Sequence, residues 1–148
     1  MTLIVQFEGD VRLRRIKLLS HEFKIASKVE LFMGVLATEA SQTQEALWQN
    51  CSFKRVGFLT LSTNEENDFN ARELKKVKLD VSCCFMKFLL YTNHENRRNI
   101  FSQVGVVAIQ FLGDLVSSFP PTVLGPLADG RSSTPKVGIL EEMRPVCT

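Results

Sequence analysis

The first 119 residues contain no proline, and all five prolines lie between positions 120 and 145. Proline cannot donate a hydrogen bond to a β-ladder and disrupts helices, so regular structure is expected before position 120. The chain also lacks a long apolar run. Its longest strongly apolar stretch, Val104–Leu112, is interrupted by Gln110 and is about half of the roughly 20 residues that a membrane-spanning helix needs. We therefore expect no membrane association.

Metal-binding residues are few and poorly spaced. The four cysteines show no two-residue gap of the kind found in zinc knuckles and thioredoxin-like motifs. Cys83 and Cys84 are adjacent and in a strand would point to opposite faces, which predicts one buried thiol and one near a surface. The two histidines, His21 and His94, have no cysteine pair nearby. The sequence predicts no metal site.

Catalytic patterns are missing as well. There is no glycine-rich phosphate loop, no Gly-x-Ser-x-Gly elbow and no pair of carboxylates flanking a recognisable cleft. Ser20-His21-Glu22 resembles part of a triad, but neighbouring residues in a turn diverge, so we expect a turn histidine that bonds to backbone. The acidic loop STNEENDFN (62–70) offers oxygen ligands without EF-hand spacing, and we expect a solvated hairpin loop. We predict that the chain is not an enzyme and uses no cofactor.

The charge is nearly balanced, with 18 basic and 16 acidic residues and a formal net charge of +2. A nucleic-acid-binding domain usually carries a larger positive excess, so we expect no nucleic-acid partner. No secretory signal is visible at the start of the chain. The sequence therefore predicts a cytoplasmic protein.

Period-2 alternation of apolar and polar residues is the dominant pattern before residue 114. It is clearest in KKVKLDV, where Val77, Leu79 and Val81 share one face. Six more segments are typical of strands: TLIVQF, RRIKLLS, SKVELFM, FKRVGFLTLS, CCFMKFLLY and VGVVAIQFLG, the last closed by Gly113. The single helical candidate, residues 41–50, could equally be a loop that tucks Trp48 against the sheet. This predicts an all-β antiparallel sandwich or jelly roll.

One strand breaks its own alternation. Val11 and Leu13 share one parity, whereas Ile16 and Leu18 share the other. A straight strand cannot bury both pairs on one face, so we predict a β-bulge near Arg14 or Arg15. With that correction, the buried core is predicted to comprise Ile16, Leu18, Val29, Leu31, Val56, Phe58, Val77, Leu79, Phe88, Leu90, Val107 and Ile109.

The chain divides at about Asp114. We predict a jelly-roll domain over residues 1–114 and an irregular, flexible tail over residues 115–148, because the tail holds all the prolines.

Basic residues cluster on strand segments whose other face is apolar. Lys76 and Lys78 share a parity opposite to that of Val77 and Leu79, and therefore leave the same face of their strand. Two interpretations stay open: the lysines keep the strand solvated, or they form a patch that faces a partner. The residues predicted for such a patch are Lys54, Arg72, Lys75, Lys76 and Lys78.

Three blocks carry a more specific resemblance. They are LRRIKLLSHEFKIASKVELFM, FKRVGFLTLSTNEENDFNARELKKVKLD and TNHENRRNIFSQVGVVAIQFLGD. Together they resemble the N-terminal jelly roll of the 104-kilodalton centrosomal protein family, a ciliary-tip family, and the first block also resembles galactose-binding-like, discoidin-type jelly rolls more widely. Family members carry a further strand before the segment similar to TLIVQF, so this chain is expected to start after it, with a sheet edge left unpaired and with lower solubility or stability.

The resemblance implies a non-enzymatic scaffold or protein-interaction module. It implies a location at the centrosome, centriole, cytoskeleton and cilium tip, and protein partners such as tubulin, microtubule-end proteins or centriole-capping proteins. In this interpretation Ser20-His21-Glu22 is the turn between two jelly-roll strands. The alternative is a carbohydrate-type small-ligand binder, for which the loops offer the aromatic residues Trp48, Phe69 and Tyr91.

Overall fold

The computed structural model describes residues 1–36 and 51–118 in full and the backbone of residues 138–140. These ranges hold β1 (Thr2–Ser20), β2 (Lys28–Leu36), β3 (Cys51–Thr60), β4 (Leu74–Leu90), β5 (Val106–Ser118) and β6 (Gly138–Leu140). A 3-10 turn spans Glu65–Asn67. The predicted helix at residues 41–50, with Trp48, lies outside the described residues. Within the described ranges, no helix has the length and apolar character needed to span a bilayer.

The strands form one antiparallel sheet in the order β3-β2-β4-β1-β5, and β6 pairs with the start of β1. Two of the predicted strands, TLIVQF and RRIKLLS, are the two ends of β1. KKVKLDV and CCFMKFLLY likewise merge into β4. The prediction of an all-β antiparallel fold is therefore confirmed, with fewer and longer strands than the sequence indicated.

The sheet folds over on itself because β1 and β4 take part in two layers. Near its start, β1 pairs with the end of β4, and β2 and β3 continue this layer. Near its end, β1 pairs with the beginning of β4, and β5 continues that layer. Phe111 of β5 meets Phe88 of β4, with ring centroids 6.1 Å apart, and Phe7 of β1, with centroids 5.2 Å apart. The two layers therefore share one core, as in a β-sandwich.

Most of the predicted core is confirmed. The fully buried members are Ile16, Leu18, Val29, Leu31, Phe88 and Leu90. A second group is half-buried and packs against them: Val56, Val77, Leu79 and Ile109. Two predictions are wrong, because Phe58 is 59% exposed and Val107 is 42% exposed.

Both errors come from bulges that shift the parity of a strand. In β3 the register moves between Gly57, opposite Leu31, and Arg55, opposite Phe32, which leaves Val56 without a direct partner. Beyond that point Leu59 faces the core and Phe58 faces solvent. In β5 the partners of Ser20 and Leu19 are Val106 and Ala108, so Val107 is the unpaired residue. A bulge reverses the side on which later residues emerge.

The predicted bulge in β1 is confirmed. The register shifts between Leu13 and Arg15 in the ladder with β4 and again in the ladder with β5. Leu13 and Ile16 are then buried on the same face, and Arg14 and Arg15 are both exposed. The irregularity thus resolves the conflict between the two apolar parities.

Gly113 does not close β5, which continues to Ser118. The strand therefore runs through the boundary predicted at residue 114, and the division of the chain there stays a prediction. Gly113 lies opposite Leu13, where the backbones of β1 and β5 come close. A Cβ at this position would overlap the carbonyl oxygen of Arg12, so the close approach requires glycine.

Replacing Gly113 with alanine should therefore destabilise the fold. The backbones would have to separate, and overpacking of this kind costs about 1–3 kcal/mol. The matched control is Gly57→Ala, since a Cβ at Gly57 meets nothing within 4 Å. Urea unfolding of both variants measures the difference. Equal free energies of unfolding would contradict the close approach seen at Gly113.

Candidate protein-interaction site

Ser20, His21 and Glu22 point to different places and form no relay. The Ser20 hydroxyl is buried and accepts a hydrogen bond from the backbone N–H of Glu73 at 3.2 Å. His21 Nδ1 accepts from the backbone N–H of Phe23 at 3.3 Å, and Glu22 pairs with Arg72 at 3.0 Å. The prediction of a turn histidine bonded to backbone is confirmed.

Three loops meet at this end of the sandwich and are held by asparagine side chains. The Asn64 amide donates to the carbonyl oxygens of Glu22 at 2.8 Å and Ala71 at 2.7 Å. Asn96 donates to the carbonyl of Phe23 at 2.7 Å. Asn99 pairs with the backbone of Gln103 through both its oxygen and its nitrogen, at 3.0 and 2.8 Å. These side chains replace the backbone ladder where the strands end.

His94 also connects these loops by hydrogen bonds. Its Nε2 lies 2.9 Å from the carbonyl oxygen of Leu61, and its backbone N–H donates to the carbonyl of Ile25 at 2.8 Å. The ring therefore connects two loops.

The acidic loop is built around ion pairs and backbone turns. Asp68 accepts from Arg97 at 3.1 Å and lies 3.6 Å from Arg98. Asn64, Asp68 and Phe69 adopt positive φ angles, which tighten the loop. Across the described part of the chain, His, Cys, Asp and Glu side chains form no cluster of three or more that could hold a metal ion.

The cysteines of β4 are both buried, so the prediction that one lies near a surface is wrong. The strand is irregular at this point: Cys83 faces the main core, and Cys84 belongs to a second small cluster with Phe85 and Phe53. Burial raises the pKa of the Cys83 thiol to about 12 and also raises the pKa of Cys84. Protonated, water-excluded thiols are poor nucleophiles.

Of the aromatic residues named for a carbohydrate-type site, Trp48 lies outside the described residues, Phe69 is buried and Tyr91 is exposed. Phe69 is buried, and the Arg98 guanidinium lies 5.9 Å from its ring centroid. The Tyr91 hydroxyl donates to Glu30 at 3.0 Å, and the Lys28 ammonium lies 4.8 Å from the Tyr91 ring. Phe69 therefore has no free ring face for a sugar.

The carboxylate of Glu30 organises the surface around Tyr91. It accepts from Lys28 at 2.7 Å and from Arg55 at 3.0 Å, as well as from Tyr91. These hydrogen bonds, led by that from Lys28, hold the pKa of Glu30 below its usual value.

Lys76 and Lys78 lie where the alternation placed them, on the outer face of β4 opposite the half-buried Val77 and Leu79. Both side chains are exposed. The structure thus confirms their shared outer face, while a role in binding is untested.

The other three predicted residues do not extend this row as free charges. Arg72 is paired with Glu22, and Lys75 lies 2.6 Å from Glu73. Burial acts to raise the pKa of Glu73. The hydrogen bonds from Lys75 and Ser62 together outweigh this effect, so the pKa lies below its usual value. Lys54 is on β3, opposite Met33 in the other layer, and is separated from the lysine row.

Two basic residues of β1 join the lysines instead. Lys17 lies directly opposite Lys76, and Arg15 lies directly opposite Lys78. Their neighbours on β5 are the neutral residues Gln110 and Leu112. We call the set Arg15, Lys17, Lys76 and Lys78 the basic face. The basic cluster Arg12–Lys17 was visible in the sequence, but its pairing with β4 was not.

The acidic residues beside the basic face are already occupied. Arg12 forms a bidentate pair with Asp80, with both contacts at 2.7 Å, and Arg14 pairs with Asp114 at 2.8 Å. The hydrogen bond from Arg12 lowers the pKa of Asp80. Within the described residues, none of the four basic side chains of the face makes a salt bridge or side-chain hydrogen bond. The face therefore keeps four uncompensated positive charges.

Comparisons with known proteins identify one family over most of the chain. Residues 1–113 match the family model described as "Centrosomal protein CEP104, N-terminal domain". The chain belongs to this family. It is 36% identical over 112 residues to the centrosomal protein of 104 kDa from Homo sapiens and to that from Mus musculus, and 34% identical to that from Rattus norvegicus. Each alignment covers 76% of this chain and 12% of the relative, so the chain spans about an eighth of the length of these proteins.

The hydrogen bonds that Asn64 makes between the loops predict that one isosteric change will lower the stability of the fold. Asn64→Asp removes the two N–H donors and sets a carboxylate against the carbonyls of Glu22 and Ala71. Leaving such groups unsatisfied costs about 1–3 kcal/mol. Asn70→Asp is the matched control, because Asn70 is exposed and its side-chain oxygen accepts from Arg98. Thermal and urea unfolding should show a loss for the first variant alone; a similar loss for both would contradict the role given to Asn64.

Proposed function

We propose that this chain is a non-catalytic protein-interaction module of a centrosome-associated protein and that it binds an acidic segment of its partner through the basic face. The centrosomal names of its relatives support the location. The cilium tip, the cytoskeleton and a scaffold role are part of the same proposal. So are the partner classes that the family resemblance implies, namely tubulin or microtubule-end proteins and centriole-capping proteins.

The observation that carries the proposal is the cross-strand pairing of like charges. Residues directly opposite in an antiparallel pair have Cβ atoms about 4.5–5.5 Å apart, and like charges in that position are destabilising. Lys76 faces Lys17 and Lys78 faces Arg15. These two like-charge pairs lie side by side, and the nearby carboxylates of Asp80 and Asp114 are already paired with other arginines. The repulsion therefore lowers the stability of the fold without a structural benefit. A negatively charged partner would relieve that repulsion.

The geometry suits an extended acidic peptide. Strands in a sheet lie about 4.8 Å apart, and residues two apart along a strand are separated by about 6.7 Å. The four charges therefore occupy a compact rectangle on a rigid support. Such a surface raises the rate of encounter with an acidic partner, and the attraction is screened as salt increases. Tubulin tails are acidic and serve as the test ligand.

Reversing the two lysines should weaken binding without unfolding the domain. Exposed substitutions usually change stability by less than about 0.5 kcal/mol. The loss of two favourable charges and the gain of two repulsive ones should weaken binding by about tenfold. We expect Lys76→Glu/Lys78→Glu to pellet less with microtubules than the wild type, and wild-type pelleting to fall as salt rises.

Single variants separate the basic face from general charge effects. Lys76→Glu and Lys54→Glu change the net charge equally, and only the first residue lies on the basic face. Microtubules from which the acidic tails have been cleaved provide a second control. If Lys54→Glu weakens pelleting as much as Lys76→Glu does, or if the tails prove dispensable, the basic face is not the interface.

A further inference from the structure

Strand β5 forms an outer edge of the sheet. It bonds to β1 on one side, and in the described residues no strand lies against its other side. An edge strand presents a row of unpaired N–H and C=O groups that can pair with another strand. At 13 residues, β5 is a long edge compared with the usual five or six.

The features that normally protect an edge strand are absent from the centre of β5. It contains no lysine and no proline, and its one charged residue, Asp114, is engaged by Arg14. Its own bulges fall near the two ends, at Val107 and Val116. The ladder between β1 and β5 has one more register shift, and there the residue without a partner is Arg14 of β1. Strand β5 therefore pairs continuously from Ala108 to Leu115. Eight successive residues are thus regular and nearly uncharged.

Apolar side chains are exposed along the same strand. Leu112 is 36% exposed, Leu115 59% and Val116 63%. A regular edge with exposed apolar side chains is a template for strand addition.

We propose that the outer edge of β5 pairs with β5 of a second copy of this chain, antiparallel and about a two-fold axis near Leu112. In such an isologous contact residue i meets residue j and j meets i. With Leu112 on the axis, Asp114 faces Gln110 and Leu115 faces Ile109, so no like charges meet. An unrelated strand would need its own complementary sequence, whereas β5 is complementary to itself.

The segment that follows β5 is a poor competitor for this edge. Prolines stand at 120, 121, 126 and 135, and each removes a donor from a ladder. The longest proline-free stretch among these positions, 127–134, reads LADGRSST and is rich in residues with low strand propensity. Gly138–Leu140 is already paired with β1. A second copy is therefore the better occupant.

The dimer has a consequence for the proposed function. A two-fold axis perpendicular to the sheet keeps the same face outward in both copies, so two basic faces would lie on one continuous sheet. Simultaneous engagement of both would raise avidity. This consequence rests on the proposed function, whereas the dimer is tested with the protein alone.

Sedimentation velocity of the full chain, over roughly a hundredfold range of protein concentration, should show a monomer–dimer equilibrium. Leu112→Lys places like charges on the axis and should weaken the dimer by at least about tenfold. Phe58→Lys is the matched control, because Phe58 is an exposed apolar residue on the opposite sheet edge, β3. It should leave the equilibrium within about twofold of the wild type.

A single new cysteine locates the axis independently. Leu112→Cys should form an intermolecular disulfide on mild oxidation, above the level of the wild type, whereas Phe58→Cys should not. A chain that stays monomeric at every concentration overturns the proposal. So does a dimer that Phe58→Lys disrupts and Leu112→Lys does not. Circular dichroism spectra of each variant test that it is folded.

Discussion

The pairing of β1 with β4 is the constraint on which the rest of the structure depends. Both strands run through both layers, so their register fixes which side chains enter the shared core. The same register places Lys17 and Arg15 opposite Lys76 and Lys78. It also brings the ends of the strands to one place, where the asparagine-braced loops meet. The core, the basic face and the loop end therefore have one geometric origin.

Local alternation was enough to predict part of this arrangement. Val77 and Leu79 turn inward and Lys76 and Lys78 outward because β4 keeps its period of two over this stretch. The β-bulge near Arg14 could also be predicted, because Val11 and Leu13 have the opposite parity to Ile16 and Leu18 and both pairs had to be buried. Phe58 was misplaced because nothing in the alternation marks Val56 as the unpaired residue, although the adjacent Gly57 was a signal for an irregularity.

The composition of the basic face could be predicted only in part. Strand pairing joins residues about 60 positions apart, and a local pattern carries no information about which strands become neighbours. Arg15 and Lys17 were visible as basic residues, but their approach to the lysines was not. For the same reason the sequence could not show that Arg72 and Lys75 are paired with Glu22 and Glu73, whereas Lys76 and Lys78 stay uncompensated.

The buried thiols of β4 give the domain an internal reporter of its own opening. Cys83 and Cys84 lie on the central strand and are excluded from water, and a thiol whose pKa is raised to about 12 by burial scarcely ionises at neutral pH. An alkylating reagent reaches Cys83, which faces the core shared by the two layers, only when that core opens. The rate at which Cys83 is labelled therefore measures how often this core opens, without an engineered cysteine.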